Sequence, residues 1–338
     1  MTEYVAPPNK TGLVLKSGDV LEVLGGGIAS FTVINGGTEQ VFAGGTAADT
    51  RINGGGTEEV YVGGTATETA VNGGTEKVYG TDAYTTINNF GIEYVYAGGA
   101  ASHTKINLGG TEDVFGTAST TTISAGGLER VEASGTANST TIHGSAQHVA
   151  TQEVYGAAIA TTINHRGLQD VYAGATASGT TIKHGGFQDV HAGGTSIGTT
   201  INGGGEDVEA GGASNGTTIN GGEENVKAGG TAHDTTINRG IEFVQSGGAA
   251  YHTIINGGGE DVFGTDTGAT IHHGGGLQIF RGGTAYDTTI DGGREYVSAG
   301  GTAFSTNIHD GLLRVFDGGE AINVRFSGDA VLELYLLG

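Results

Sequence analysis

Cysteine is missing from all 338 residues, so no disulfide staples this fold. That says little about compartment, because a large repetitive core needs no staple. Tryptophan is missing too, and proline appears only twice. So little proline beside 68 glycines excludes a proline-rich linker, and the lack of a strict every-third-residue glycine period excludes collagen. Bases are scarce: 14 Lys and Arg stand against 36 Asp and Glu, a formal net charge of −22. Such a surface repels nucleic acid and anionic membranes, and suits solubility or cation binding. No apolar run approaches the roughly 18 residues of a spanning helix, so no membrane insertion of this chain is expected. The opening stretch MTEYVAPPNKTG lacks a basic-then-apolar pattern. Export is therefore expected to rely on a signal trimmed from these residues, or on a route without one.

What the chain does have is a phrase repeated almost end to end. Anchored on the aliphatic residue of T-x-I-N, the series runs from Ile34, Ile52 and Val71 to Ile290 and Ile308. Sixteen anchors are spaced 16 to 21 residues apart, mostly 18 or 19. A second aliphatic follows seven or eight residues later, from Val41 and Val60 through Val131, Val149 and Val171 to Val315. Each repeat thus holds two short β-branched segments ended by Gly-Gly or a variant. Runs this short cannot be helices, and paired glycines turn strands into bends. One repeat cannot bury its few aliphatics alone, but stacked on its neighbours it can. The reading is an all-β, single-stranded, right-handed parallel β-helix of about eighteen turns of 18–19 residues. At ~4.8 Å per turn the stack predicts a rod of roughly 85 Å.

Other columns follow from the same register. Thr stands two residues before the anchor in fifteen of sixteen turns, Ala269 being the exception, and predicts a hydroxyl ladder beside the core. Asn follows the anchor in ten turns, as at Asn35, Asn53, Asn220 and Asn238, and predicts stacked amides at a bend. Glu or Gln lies two before the second aliphatic, as at Glu39, Glu58, Glu76, Glu93, Glu112 and Glu129. Strict alternation would bury it; a bend that turns the carboxylate to water or onto glycine N–H groups is the expectation.

The variants of TTINGGxExVxAGGTA at Thr199–Ala213 and Thr217–Ala232 resemble the repeat of AIDA-type autotransporter passengers. The resemblance covers roughly residues 13–326, between a lead-in over 1–12 and a cap strand over 327–338. It implies a bacterial surface or secreted β-helix that mediates adhesion or self-association without catalysis. The implied partners are other copies of the chain, or host and cell-surface glycans or proteins, with a glycosyltransferase that modifies Ser and Thr. The membrane β-barrel that exports such passengers has no counterpart here, so an excised passenger or a relative exported by another route is expected. The alternatives are a carbohydrate-active β-helix enzyme, which would need a cleft with clustered acids and a base, and a passive spacer.

Candidate sites lie where columns deviate. Phe42, Tyr61, Tyr79, Tyr96 and Phe115 follow the second aliphatic in five successive turns and predict an exposed aromatic stripe. Tyr172, Phe263, Phe280 and Phe316 occupy the same position later. Asp170, Asp189 and Asp207 form a short acidic rank that would welcome a cation. The calcium-binding nonapeptide of secreted solenoids is absent, so no metal site and no cofactor are expected. His165 and His184 share a column with His143 one position off, and read as corner residues. The longest spacing, between Ile142 and Ile163, breaks the glycine pattern and predicts a projecting loop. Beyond Phe316 the stretch AVLELYLLG reads as a terminal cap, or as a contact surface if Leu332, Leu334 and Leu336 are exposed.

Overall fold

The computed structural model describes residues 2–335, and Leu336 lies outside them. Two compact units divide the chain, Met1–Gln169 and Asp170–Gly338. Each is a parallel β-solenoid, and together they contain about eighteen turns. No helix occurs among the described residues.

One turn of the first unit shows why the repeat folds this way. Arg51–Asn53 buries Ile52, Thr57–Val60 buries Glu58 and Val60, and Thr65–Thr67 buries Ala66. Alternation along each strand sends every second residue inward. The Ile strand pairs with the Ile strand of the next turn, Ile52 opposite Val71, and likewise Glu58 faces Glu76 and Ala47 faces Ala66. The second unit repeats the pattern, with Ile182 opposite Ile201 and Glu206 opposite Glu224. Both anchor columns are fully buried, so each unit has one apolar spine of stacked Ile and Val.

Two kinds of glycine build the corners. Gly63 has φ +79°, a left-handed bend that side chains resist. Its neighbour Gly64 faces inward, where a Cβ would stand 2.4 Å from the Val41 carbonyl oxygen of the turn before. The corner ahead of the buried Thr has the same left-handed sense, in many turns without glycine, as at Asp49 (φ 56°) and Glu68 (φ 58°), and in others with it, as at Gly198 (φ 66°).

Three expectations need correction. Each turn has three strands, not two. The third, Thr-Ala-x, reads as turn sequence because alanine carries no β-branch, yet its alanines form a buried column from Ala29 to Ala303. Next, the Glu column does not face water. Thr57–Val60 is an unbroken strand, and Glu39, Glu58, Glu76, Glu93, Glu112 and Glu129 are fully buried, as are Glu206, Glu224 and Glu242. The buried Thr of the adjoining strand makes this tolerable by donating a hydroxyl to each carboxyl, an arrangement visible only once the faces meet. Finally, Val149 is not a core residue. It is 47% exposed, at the end of a loop over 144–149 whose residues 146–149 are exposed, and Val154 takes the column opposite Val131. The five-residue difference is the loop that the long spacing announced.

At the N-terminal side Glu3–Ala6 already pairs with Val20–Val23, so residues of the lead-in are ladder strands. At the other side Ala330–Tyr335 pairs with Gly311–Phe316 and leaves Leu332 and Leu334 exposed, Leu334 at 61%.

Candidate functional site

The position after the second aliphatic is the first residue of a corner, and successive turns set it in line. Phe42, Tyr61, Tyr79, Tyr96 and Phe115 form one ladder of rings in the first unit. Centroids are 4.9, 6.1, 4.3 and 6.0 Å apart, and interplanar angles do not exceed 12°. The stacking is offset, the favoured aromatic geometry. All five are half-buried. Ring faces turn towards their neighbours along the ladder, so edges and phenol hydroxyls are what the ladder offers to solvent.

A polar border fixes the ladder. The Tyr61 hydroxyl donates to Glu59 Oε2 at 2.7 Å, Gln40 Nε2 donates to the same oxygen at 3.2 Å, and Lys77 Nζ pairs with Glu59 Oε1 at 2.9 Å. The hydrogen bond to Glu59 pushes the Tyr61 phenol up to about 12. Burial alone would raise Glu59, but the donors from Tyr61, Lys77 and Gln40 outweigh it and hold the carboxyl below its usual range. In the second unit the same position carries Tyr172 stacked on His191 at 4.7 Å and Phe263 stacked on Phe280 at 4.3 Å.

A second set of rings escaped the sequence reading, which followed a single column. Around the Thr-Ala-x strand Tyr84 stacks on His103, His233 on Tyr251, and Tyr286 on Phe304, at 4.6–5.3 Å. Phe90 stands 83% exposed at another corner. The signal was present: these rings also recur at fixed offsets from the anchor.

The acidic rank of the second unit is assembled as spaced. Asp189 lies opposite Asp207, and Asp207 opposite Asn225, which donates to Asp207 Oδ1 at 2.9 Å. Lys227 Nζ bridges Asp207 and Glu209, and His191 Nε2 lies 3.1 Å from Asp170 Oδ1. Burial, then the Asp170 and Asp207 charges, push Asp189 up to about 6. Lys227 and His191 thus already occupy the flanks of this rank. His143, His165 and His184 join no group of three potential ligands among the described residues.

Inside each unit the Glu and Thr columns form a hydrogen-bonded network. Thr50, Thr69, Thr140 and Thr235 donate to Glu39, Glu58, Glu129 and Glu224 at 3.0–3.1 Å. Where glutamine replaces glutamate, its amide bonds along the axis: Gln152 Nε2 to Glu129 Oε2 and Gln169 Nε2 to Gln152 Oε1, both 2.6 Å. A protonated glutamic acid has nearly the shape of glutamine and, like it, a donor to offer, one O–H where the amide has two N–H. Burial accordingly pushes Glu39, Glu129 and Glu224 up to about 7 and Glu206 up to about 8. Asn53 Nδ2 donates to Asn35 Oδ1, and Asn220, Asn238 and Asn256 each donate to the asparagine one turn earlier, in hydrogen bonds of 2.8–3.1 Å, the ladder expected of them.

Three surface depressions can be named, and a polysaccharide-cleaving site would need two acids beside a base in one of them. One pairs His273 with Arg294, one pairs Glu3 with Glu22, and one is lined mainly by glycine with His184 and Glu223. None of the three sets two acids beside a base.

No family model matches the chain, and no curated protein does. A solved structure does: the TibC-catalysed, hyper-glycosylated TibA fragment is 35% identical to this chain, superposes with a TM-score of 0.71, and covers 75% of this chain and 99% of its own length. The Streptococcus pneumoniae surface protein and adhesin PfbA aligns at 9% identity over 98% of this chain and 90% of its own, but its TM-score of 0.13 carries no argument.

Proposed function

The chain belongs to the AIDA-type autotransporter adhesin passengers, and from that membership we propose that it works by lateral, multivalent contact at the bacterial surface. Its part is adhesion and self-association, without catalysis. The observation that carries this reading is the ladder Phe42–Tyr61–Tyr79–Tyr96–Phe115, which repeats one kind of contact in five successive turns, with rings 4.3–6.1 Å apart. Weak, repeated contacts then add as avidity. Edge-on rings with hydroxyls favour a second copy of the same ladder over the flat face of a sugar, because stacking on a sugar needs free ring faces.

The test replaces Tyr61, Tyr79 and Tyr96 together by Ser. Circular dichroism should stay that of the parent, since the core columns are untouched, while sedimentation velocity and bacterial autoaggregation should both fall towards background. A triple variant that associates like the parent would overturn the reading.

The similar TibA fragment is glycosylated by TibC. We propose the same class of modification here, on outward hydroxyls such as Thr65, Thr81 and Thr117, which share one exposed column. Intact mass after co-expression with a TibC-type transferase tests this, and an unmodified mass refutes it.

A further inference from the structure

Most turns set an alanine across the interior from the carboxyl column. At two places, Asp82 and Asp266, an acid stands there instead. Asp82 lies in register between Ala66 and Ala101, after a short corner in which Tyr79 N–H and Gly80 N–H both donate to the Val60 carbonyl, at 2.8 and 3.0 Å. Asp82, Glu76 and Glu93 are all fully buried, and acceptor atoms of the three lie within 4.8 Å of one another. Thr85 and Thr104 give their single hydroxyl protons to Glu76 Oε2 and Glu93 Oε2, at 3.2 and 3.4 Å. Four oxygens have no hydrogen bond of good geometry, Glu76 Oε1, Glu93 Oε1 and both of Asp82, although the Thr85 hydroxyl and the Ala83 N–H stand near enough to Asp82 to oppose the effect of burial on it. No ion pair among the described residues includes any of the three.

We propose that Glu76, Asp82 and Glu93 form an internal cation site that takes up calcium as the solenoid closes around it. All the donors are oxygen, which selects a hard cation. Calcium bonds oxygen at about 2.4 Å, so two ligands of one ion stand no more than about 4.8 Å apart, and the three acids lie within that limit. Magnesium fits poorly, since it needs about 2.1 Å and keeps waters that a fully buried site cannot house. A divalent ion and one proton leave the trio neutral, which removes the charge that burial penalises.

A second short corner provides an internal control. Asp266 follows Gly264 as Asp82 follows Gly80, and it too is buried with neither oxygen in a hydrogen bond of good geometry. In its next turn, however, Leu277 stands in the Glu column and Ala269 in the Thr column. The third carboxylate is absent, so Asp266 is not expected to hold the ion.

The experiment refolds the full chain from guanidinium in millimolar calcium, dialyses it against chelator, and counts calcium by mass spectrometry. Asp82→Ala and Asp266→Ala are treated alike; both restore the alanine usual in this column, so both should fold, as circular dichroism checks. The expected result is about one retained calcium per chain in the parent and in Asp266→Ala, and none in Asp82→Ala. Calcium in the refolding buffer should also raise the unfolding midpoint of the parent but not of Asp82→Ala. Calcium-free parent protein, or equal retention by Asp82→Ala, overturns the site and leaves the three acids sharing protons.

Discussion

Replacing Glu206 by Gln should stabilise the second unit at neutral and alkaline pH, although it removes a native ionisable side chain. Glu206 is fully buried, accepts a hydrogen bond from Thr217 at 3.1 Å on Oε2, and leaves Oε1 without a donor. Burial first, and then the Glu224 charge, push it from 4.5 up to about 8. Its folded value lies above its unfolded one, so its contribution is fully present below about 4.5 and is lost as pH rises through about 8. At about 1.4 kcal/mol per pH unit, the difference between 4.5 and about 8 amounts to on the order of 5 kcal/mol above pH 8. Glutamine has no proton to lose, keeps an oxygen for Thr217, and is already accepted one turn earlier as Gln188. Guanidinium unfolding followed by far-ultraviolet circular dichroism at pH 5, 7 and 9 measures the effect. Parent and variant should match at pH 5 to within about 1 kcal/mol, the scale of one hydrogen bond, and the variant should lead increasingly at pH 7 and 9. Parallel curves, or a variant weaker at every pH, would refute the claim that the column is held protonated.

Thr69→Val removes the donor to Glu58 Oε2 and leaves that oxygen buried and unpaired, so stability should drop by about 1–3 kcal/mol in the same unfolding assay. Gly64→Ala should be far worse than Gly98→Ala. The first drives a Cβ to 2.4 Å from a carbonyl oxygen, whereas the second meets nothing within 4 Å and bears only the left-handed strain of about 1–2 kcal/mol at φ +86°. Ultraviolet titration of the phenols should find Tyr61 ionising only near pH 12, and Glu59→Gln should bring it back towards 10.

The period of the repeat made the stacked architecture legible without coordinates. An interval of 18 or 19 residues with Ile and Val at two fixed offsets admits one way of burying them, turn upon turn, and the Thr and Asn ladders follow from the same register. The aromatic ladder was legible for that reason too, since identity of offset becomes identity of place. Tertiary structure decided how the faces meet. Glu58 lies eleven residues from Thr69, and the chain turns two corners between them; no local pattern says that their side chains converge in a dry interior. Alternation alone pointed Glu58 inward, and the cost of burying a carboxylate pointed it outward. Only the closed cross-section, with a hydroxyl waiting opposite, settles that conflict. Asp82 shows the same limit more sharply. By sequence it is one acid in a shortened corner, and only closure of the turn brings it against Glu76 and Glu93, because the distance across a solenoid depends on where the corners fall.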